Sequence, residues 1–390
     1  MDDTNGSRSA PPPATPDRGW RHAPLFDRLS ARCALPIASA TEMEIVHCGD
    51  EHFRRVTDAI GAARREIAIE MYQVKPDEIG RRVARALLDA AARGVRVRLL
   101  ADAWGSKRFA AEMRRLRRGG VDARWYSPWR PWNSPMRRTH RKLVVVDRAL
   151  ATIGGMNFAR EFSQACCGAE AWRDVSAWFS GPVVEHFALQ FEAAWGDAPD
   201  APSLASTAEG IRCAVVGGSD GRQGFADAYR ALVDGARREV LIANPYFIPD
   251  PDFRGRLAAA ARRGVRVTVV VPRRCDIEPF KHAARRLYGG LLRAGVTIIE
   301  RQDRMVHAKV AVVDRELAAI GSANINRRSF YWNGETLLLT DHAPVVREIS
   351  AFILEEGAAA GEELTISNWA AHPDRRPLSE LLSTPVYVLF

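Results

Sequence analysis

The sequence lacks any apolar run close to the roughly 18 residues that a membrane-spanning helix needs, although 47% of its 390 residues are hydrophobic. Its first residues, MDDTNGSRSAPPPATPDRGW, contain neither the basic nor the apolar segment of a secretory signal peptide. We therefore expect residues 1–35 to form a disordered leader, and any contact with a membrane to be peripheral.

Metal-binding and disulfide patterns are also missing. The six cysteines include no CxxC pair, and no histidine has a second His or Cys at ligand spacing. The adjacent Cys166 and Cys167 rarely bond to each other, which favours reduced thiols and a cytosolic setting. The sequence thus predicts neither a metal site nor a disulfide framework.

Positive charge is in excess, with 56 Lys and Arg against 47 Asp and Glu and a formal net charge of +9. A basic surface attracts nucleic acid, anionic lipid headgroups or phosphorylated substrates, and charge alone does not choose among them. The chain has no dense Lys/Arg tract interleaved with stacking aromatics, so a groove for a nucleic-acid strand is disfavoured.

The chain contains an internal repeat. ARREIAIEMYQ begins at Ala63 and ARREVLIANPY begins at Ala236, and a helical pattern, a glycine and the strand GVRVRLL or GVRVTVV follow each. Strands that alternate with helices predict an α/β fold of two tandem halves, each with a mixed, largely parallel sheet flanked by helices.

The repeat also predicts where the halves lie. We expect the first half at residues 36–200, the second at 207–372, and a linker rich in Ala, Pro and Ser at 196–210. The tail, 373–390, suggests a short amphipathic helix with an apolar end that docks on the protein or touches lipid. In the first half, Trp129, Trp132 and Met136 lie among Pro and Arg, and they form either a lip at the bilayer interface or a plug between the halves.

One polar pattern, H-x-K-x4-D, occurs at matching places in both halves. It comprises His140, Lys142 and Asp147 in the first half and His307, Lys309 and Asp314 in the second. Residues two apart share a strand face, and a predicted hairpin brings Asn157 or Asn324 back beside each histidine. Repetition of the whole pattern argues against a purely structural role for either histidine.

These groups suit phosphoryl chemistry. An imidazole can act as a nucleophile or an acid near neutral pH, and a lysine supplies positive charge where phosphate oxygens gather charge. The amides of Asn157 and Asn324 and the backbone N–H groups near Gly155 and Ser322 can donate to the same oxygens. With two copies, one histidine can attack phosphorus while the other protonates the departing oxygen.

Some of these residues have structural alternatives. Asn157 and Asn324 can cap the helices that follow them, a role that is compatible with phosphate binding. We group Asp147 and Asp314 with the catalytic residues of the motif, although the turn position of Asp147 favours a turn or ion-pair anchor.

The doubled motif resembles the signature of the phospholipase D superfamily. Flanking segments such as WRDVSAWFSGPVV and NPYFIPD resemble its bacterial cardiolipin synthase branch, and the resemblance covers about residues 40–375. It implies a phospholipase D fold with a pseudo-twofold axis, and a ping-pong reaction that needs no metal and no cofactor.

Carried onto this sequence, the resemblance implies that His140 is the nucleophile and His307 the general acid. Lys142, Lys309, Asn157 and Asn324 would hold the phosphate. Asp174 in WRD and Glu335 in NGE are candidates to orient the imidazoles, and the alternative for both is a surface salt bridge with a neighbouring arginine.

The function we expect is a phosphatidyltransferase that makes cardiolipin from phosphatidylglycerol, on the cytoplasmic side of the cell membrane. The expected partners are anionic phospholipid and the membrane surface, with no protein partner implied. The alternatives are a phospholipase D-type hydrolase and a phosphodiesterase that acts on nucleic acid. Two intact motifs argue against a non-catalytic scaffold.

Overall fold

The computed structural model describes residues 23–33, 35–127, 137–196, 210–217 and 224–372. Several predicted features lie outside these residues: most of the leader, the segment with Trp129, Trp132 and Met136, most of the linker, and the tail from residue 373.

The first half forms a seven-stranded sheet. Its strands are β2 (Glu42–Val46), β3 (Glu66–Met71), β4 (Arg96–Asp102), β5 (Asp122–Tyr126), β6 (Lys142–Val146), β7 (Leu150–Gly154) and β8 (Ser176–Ser180). Their order across the sheet is β2-β8-β7-β6-β3-β4-β5.

The second half forms a nine-stranded sheet, which also includes a strand from near the start of the chain. Its strands are β1 (Ile37–Ala40), β9 (Ile211–Gly217), β10 (Glu239–Ala243), β11 (Arg266–Pro272), β12 (Thr297–Arg301), β13 (Val310–Val313), β14 (Leu317–Gly321), β15 (Thr336–Thr340) and β16 (Gly361–Leu364). Their order is β1-β9-β15-β14-β13-β10-β11-β12-β16.

The predicted α/β class with two mixed sheets is confirmed, but the sheets are not largely parallel. Among the described strands, parallel pairing is confined to β3-β4-β5 and β10-β11-β12. The motif hairpins β6-β7 and β13-β14 and the strands beyond them pair antiparallel. The physical reason is the connection, since a short turn reverses the chain whereas a helical crossover keeps its direction.

Helices cover both faces of each sheet. The α-helices are α1 (Leu25–Arg32), α2 (Gly49–Ala62), α3 (Glu78–Ala92), α4 (Ala110–Arg118), α5 (Gln164–Cys167), α6 (Val183–Trp195), α7 (Gly224–Gly235), α8 (Pro251–Arg262), α9 (Glu278–Arg293), α10 (Arg327–Tyr331), α11 (Ala343–Ala360) and α12 (Ile366–Ala370). Short 3-10 turns occur at Lys107–Phe109, Arg160–Phe162 and Gly168–Glu170.

Three apolar clusters hold these layers together. One packs α2, α3 and α4 on the outer face of the first sheet, and another packs α7, α8 and α9 on the outer face of the second. The third lies between the two sheets and includes side chains of α6 and α11. Burial of this shared apolar surface fixes one half against the other, which is what a site built from both halves requires.

The N-terminal segment differs from the prediction. Residues 25–32, assigned to the disordered leader, form α1, whose Leu25, Phe26 and Leu29 are buried in the core of the second half. Strand β1, assigned to the first half, pairs antiparallel with β9. These apolar side chains have a core to enter only after the second half has formed, so the local sequence does not reveal their place.

Within the described ranges, the longest helices fall short of the combined length and apolarity that a transmembrane span requires.

Candidate active site

Both motif histidines line one cavity of about 580 Å³ between the two halves. The backbone N–H of His140 donates to the carbonyl of Gly334 at 2.8 Å, and that of His307 donates to the carbonyl of Arg173 at 2.6 Å. Each histidine is therefore fixed by a loop of the opposite half. The structure brings the two imidazoles together as a shared site needs.

The two acids proposed as orienting groups each contact the histidine of the other half. His140 Nδ1 lies 3.1 Å from Glu335 Oε2, and His307 Nδ1 lies 2.6 Å from Asp174 Oδ2. Both carboxylates are fully buried. The alternative of a surface salt bridge with a neighbouring arginine does not fit this geometry.

Burial controls the protonation of these pairs. It lowers the pKa of His140 to about 4 and that of His307 to about 3. Burial also tends to raise the pKa of Asp174 and Glu335, but nearby cations and the histidine contacts outweigh it, and both pKa values are lowered. At neutral pH the acids are ionised and the imidazoles neutral. An ionised carboxylate can only accept, so each Nδ1 carries the proton and each Nε2 is left as the basic nitrogen.

The two motif lysines are buried next to their histidines. Lys142 Nζ donates to the carbonyl of His140 at 2.6 Å, and Lys309 Nζ donates to the carbonyl of His307. Burial is the main reason why the pKa of Lys309 falls to about 8 and that of Lys142 falls well below its ordinary value. A bound anion would favour the protonated, cationic form of both lysines.

Asn157 and Asn324 line the cavity, but neither is a helix cap. Asn157 Oδ1 accepts the backbone N–H of Gln73 at 3.2 Å, which leaves its NH2 as a donor. Helix α10 is capped by Asn326, whose Oδ1 accepts the N–H of Ser329 at 2.9 Å. The predicted dual role of capping and binding is therefore wrong for both asparagines, and only the binding role stays a prediction.

Gly155 and Ser322 support the acids and do not present donors to the cavity, so their assignment to phosphate binding is corrected. A Cβ on Gly155 would lie 2.3 Å from Asp174 Oδ1, and its N–H donates to the carbonyl of Val175. The Ser322 hydroxyl donates to Glu335 Oε2 at 2.5 Å, and its N–H donates to a backbone carbonyl.

The motif aspartates are anchors rather than catalytic residues. Asp147 lies in the β6-β7 turn, where its carboxylate accepts the backbone N–H groups of residues 64–66 at 2.7 to 2.9 Å. Asp314 does the same for residues 237–239 at 2.7 to 2.9 Å. Each ties its hairpin to the start of the adjacent strand, β3 or β10. Grouping them with the catalytic residues was wrong.

Several cavity residues were missed by the sequence analysis. The Tyr72 ring lies 4.7 Å from the His140 ring, and the Tyr246 ring lies 6.1 Å from the His307 ring. Both tyrosines follow the carboxyl end of a strand, β3 or β10, where sites in α/β sheets gather, and their positions, which differ by one residue between the two repeats, could have revealed them. The remaining lining residues are Gln73, Lys75, Trp104, Arg138, Trp172, Asp276, Ile277, Phe280, Asn326, Arg328, Ser329 and Asn333.

Comparison with known sequences gives consistent matches. A family model described as cardiolipin synthase, PLD-like domain, matches residues 56–195 and 229–355. A cardiolipin synthase of a Geobacillus species is 33% identical over 353 residues, which are 87% of this chain and 70% of that protein. Cardiolipin synthase A of Pseudomonas fluorescens is 32% identical over 345 residues, which are 84% of this chain and 71% of that protein.

Solved structures share the fold. Phosphatidylserine synthase of Haemophilus influenzae aligns with a TM-score of 0.69 over 93% of this chain and 97% of that chain, at 13% identity. Polyphosphate kinase of Porphyromonas gingivalis aligns with a TM-score of 0.58 over 81% of this chain and 50% of that chain, at 17% identity. At these identities the likeness concerns the fold alone.

Proposed function

Since this chain belongs to the phospholipase D superfamily and is a cardiolipin synthase-like enzyme, we propose that it makes cardiolipin from two molecules of phosphatidylglycerol through a phosphohistidine. The observation that carries the proposal is the shared cavity. Two neutral imidazoles line it, and each is held by an ionised acid from the opposite half.

In the first step, His140 Nε2 attacks the phosphorus of phosphatidylglycerol. The P–N bond forms, the bond from phosphorus to the glycerol oxygen breaks, and His307 Nε2 gives a proton to that oxygen. His307 must be protonated beforehand, although burial keeps it neutral in the empty site. A bound phosphodiester anion raises the pKa of a nearby imidazole, so substrate binding itself favours the required state.

In the second step, a hydroxyl of a second phosphatidylglycerol attacks the phosphohistidine. Its proton goes to His307 Nε2, the P–N bond breaks, and His140 is returned to its starting form. Lys142 and Lys309 supply positive charge beside the phosphate, and the amides of Asn157 and Asn324 donate to its oxygens. The assignment of His140 as nucleophile and His307 as acid follows the family resemblance, and the contacts of Glu335 and Asp174 with the two imidazoles support a catalytic use of both.

The protein acts in this proposal as a peripheral enzyme on the cytoplasmic side of the membrane. Its net charge of +9 favours attraction to a surface of anionic phospholipid. No further protein is needed, because both histidines and both acids come from one chain.

Incubation with phosphatidylglycerol vesicles, followed by mass analysis of the lipids, tests the proposal. Cardiolipin together with free glycerol is the expected result. Phosphatidic acid alone would indicate a hydrolase instead, and unchanged lipid together with cleavage of single-stranded DNA would indicate a nuclease.

A further inference from the structure

The cavity differs at its two ends. Near His140 it is lined by Arg138 and Arg328, whose charges act on Tyr72 beside that histidine. Near His307 it carries a carboxylate, Asp276, together with Tyr246. Beyond the motif lysines, the two ends therefore carry side chains of opposite charge.

Asp276 is held at the mouth of the cavity by a buried tyrosine. It lies in the loop between β11 and α9, and its Oδ1 accepts the Tyr246 hydroxyl at 2.6 Å. Burial, with the charge of Asp276 as a second cause, raises the pKa of Tyr246 well above 10, so this hydroxyl remains a donor. Asp276 itself is exposed, so a ligand in the cavity can reach it.

The negative charge of Asp276 faces the reacting groups. Burial lowers the pKa values of Lys75 and Lys309, and Asp276 is among the charges that act against that lowering. A carboxylate placed here repels phosphate oxygens, whereas it is a strong acceptor for a hydroxyl. Since Tyr246 contacts one of its two oxygens, the carboxylate retains acceptor capacity.

The geometry of the reaction indicates which hydroxyl can donate a hydrogen bond to Asp276. In an in-line displacement the leaving alcohol and the incoming alcohol both lie opposite the nucleophile. With His140 as the nucleophile, that side is the His307 side, where Asp276 lies. The glycerol headgroup of phosphatidylglycerol carries a second hydroxyl next to the reacting one.

We propose that Asp276, positioned by Tyr246, is an acceptor subsite that selects alcohols with a second hydroxyl adjacent to the one that attacks phosphorus. The inference rests on the proposed transferase function and adds the chemical class of its alcohol. In the attacking complex the reacting hydroxyl gives its proton to His307 while its neighbour donates a hydrogen bond to Asp276.

The test uses the full chain, phosphatidylglycerol vesicles as donor, and soluble 1,2-propanediol and 1-propanol as competing acceptors. The wild type is expected to transfer to the diol in preference to 1-propanol. In Asp276→Asn, transfer to the diol should fall on the order of tenfold, the effect of one charge-assisted hydrogen bond, while transfer to 1-propanol is retained. Tyr246→Phe should give a smaller loss in the same direction, because Asp276 remains but is no longer held.

Glu278→Gln is the matched control, since Glu278 is a neighbouring exposed carboxylate that pairs with Lys281 rather than with Tyr246. It should leave the preference for the diol unchanged. An Asp276→Asn enzyme with the wild-type ratio of diol to 1-propanol products would overturn the inference, as would a wild type with no preference for the diol. A wild type that makes no cardiolipin from phosphatidylglycerol alone would instead overturn the proposed function, so the two failures are distinguishable.

Discussion

The two halves carry the same histidine, lysine and aspartate pattern but surround it with different side chains. In the first half, Arg141 donates to Glu70 at 3.0 Å and to the carbonyl of Glu335 at 3.0 Å, and all three residues are buried. The matching positions of the second half, 173 residues after Glu70 and 167 after Arg141, are Ala243 and Ala308. The Glu70–Arg141 ion pair therefore has no counterpart at the matching positions of the second half.

The His307 side is braced in another way. Arg173 of the first half donates to Glu356 of the second at 2.6 Å, and Glu356 also pairs with Arg301 at 3.2 Å. The loop that carries Asp174 is thus fixed by an ion pair across the seam. The reacting groups are thus present in duplicate while their supports differ, so matching substitutions should affect the two halves unequally.

The largest effect is expected from removing either histidine. His140→Ala and His307→Ala should each reduce cardiolipin formation by on the order of 10⁴-fold or more, because neither step proceeds without both groups. Lipid mass analysis after incubation with phosphatidylglycerol measures this loss. Substantial turnover by either variant would show that the two halves are not one site.

The crossed pairing of acids and histidines can be tested by comparing variants of the two acids. Glu335→Gln should behave like loss of His140, and Asp174→Asn like loss of His307, with turnover reduced by on the order of 10² to 10⁴-fold. The substrate phosphatidyl-p-nitrophenol distinguishes the two variants, because its leaving group needs no protonation. Asp174→Asn should release one p-nitrophenol per enzyme and then stall, whereas Glu335→Gln should release none. The reverse pattern would assign the acids, and with them the histidines, the other way round.

A smaller effect concerns stability. Arg141→Met leaves the Glu70 carboxylate buried without its cation, which we expect to lower the free energy of unfolding by about 3–5 kcal/mol. Arg173→Met should cost less, because Arg173 is 21% exposed and Glu356 retains Arg301. Denaturant unfolding measures both. The double variant Glu70→Leu, Arg141→Met should recover much of the loss, and a double variant as unstable as the single one would contradict this explanation.

The smallest effect is the acid dependence of the Asp147 anchor. Burial opposes ionisation of Asp147, but three backbone N–H donors outweigh it, and its pKa is lowered in the folded protein. Its contribution to stability is therefore complete above the unfolded pKa of about 3.9 and is lost as the pH falls through the folded value. Between pH 5 and pH 3, the melting temperature of Asp147→Asn should fall less steeply than that of the wild type. Curves of equal slope would contradict the prediction.

The repeat made the two-half architecture and the catalytic hairpins predictable, because both depend on local patterns that occur twice. The place of α1 was not predictable in this way, since it depends on a core formed more than 180 residues later, around residues such as Tyr229. The contacts of Glu335 with His140 and of Asp174 with His307 also join the two halves. Spacing along the chain instead suggests that each acid contacts the histidine of its own half. Asp276 lies in a loop outside both motifs, so only the folded cavity connects it to His307.

Locating the covalent adduct tests the central claim most directly. His307→Ala enzyme is mixed with phosphatidyl-p-nitrophenol, quenched rapidly, and analysed by peptide mass spectrometry. One phosphatidyl group per chain, attached to His140, is the predicted result. An adduct on His307 in the His140→Ala enzyme, or adducts on both histidines of the wild type, would contradict a single site in which the two imidazoles have different tasks.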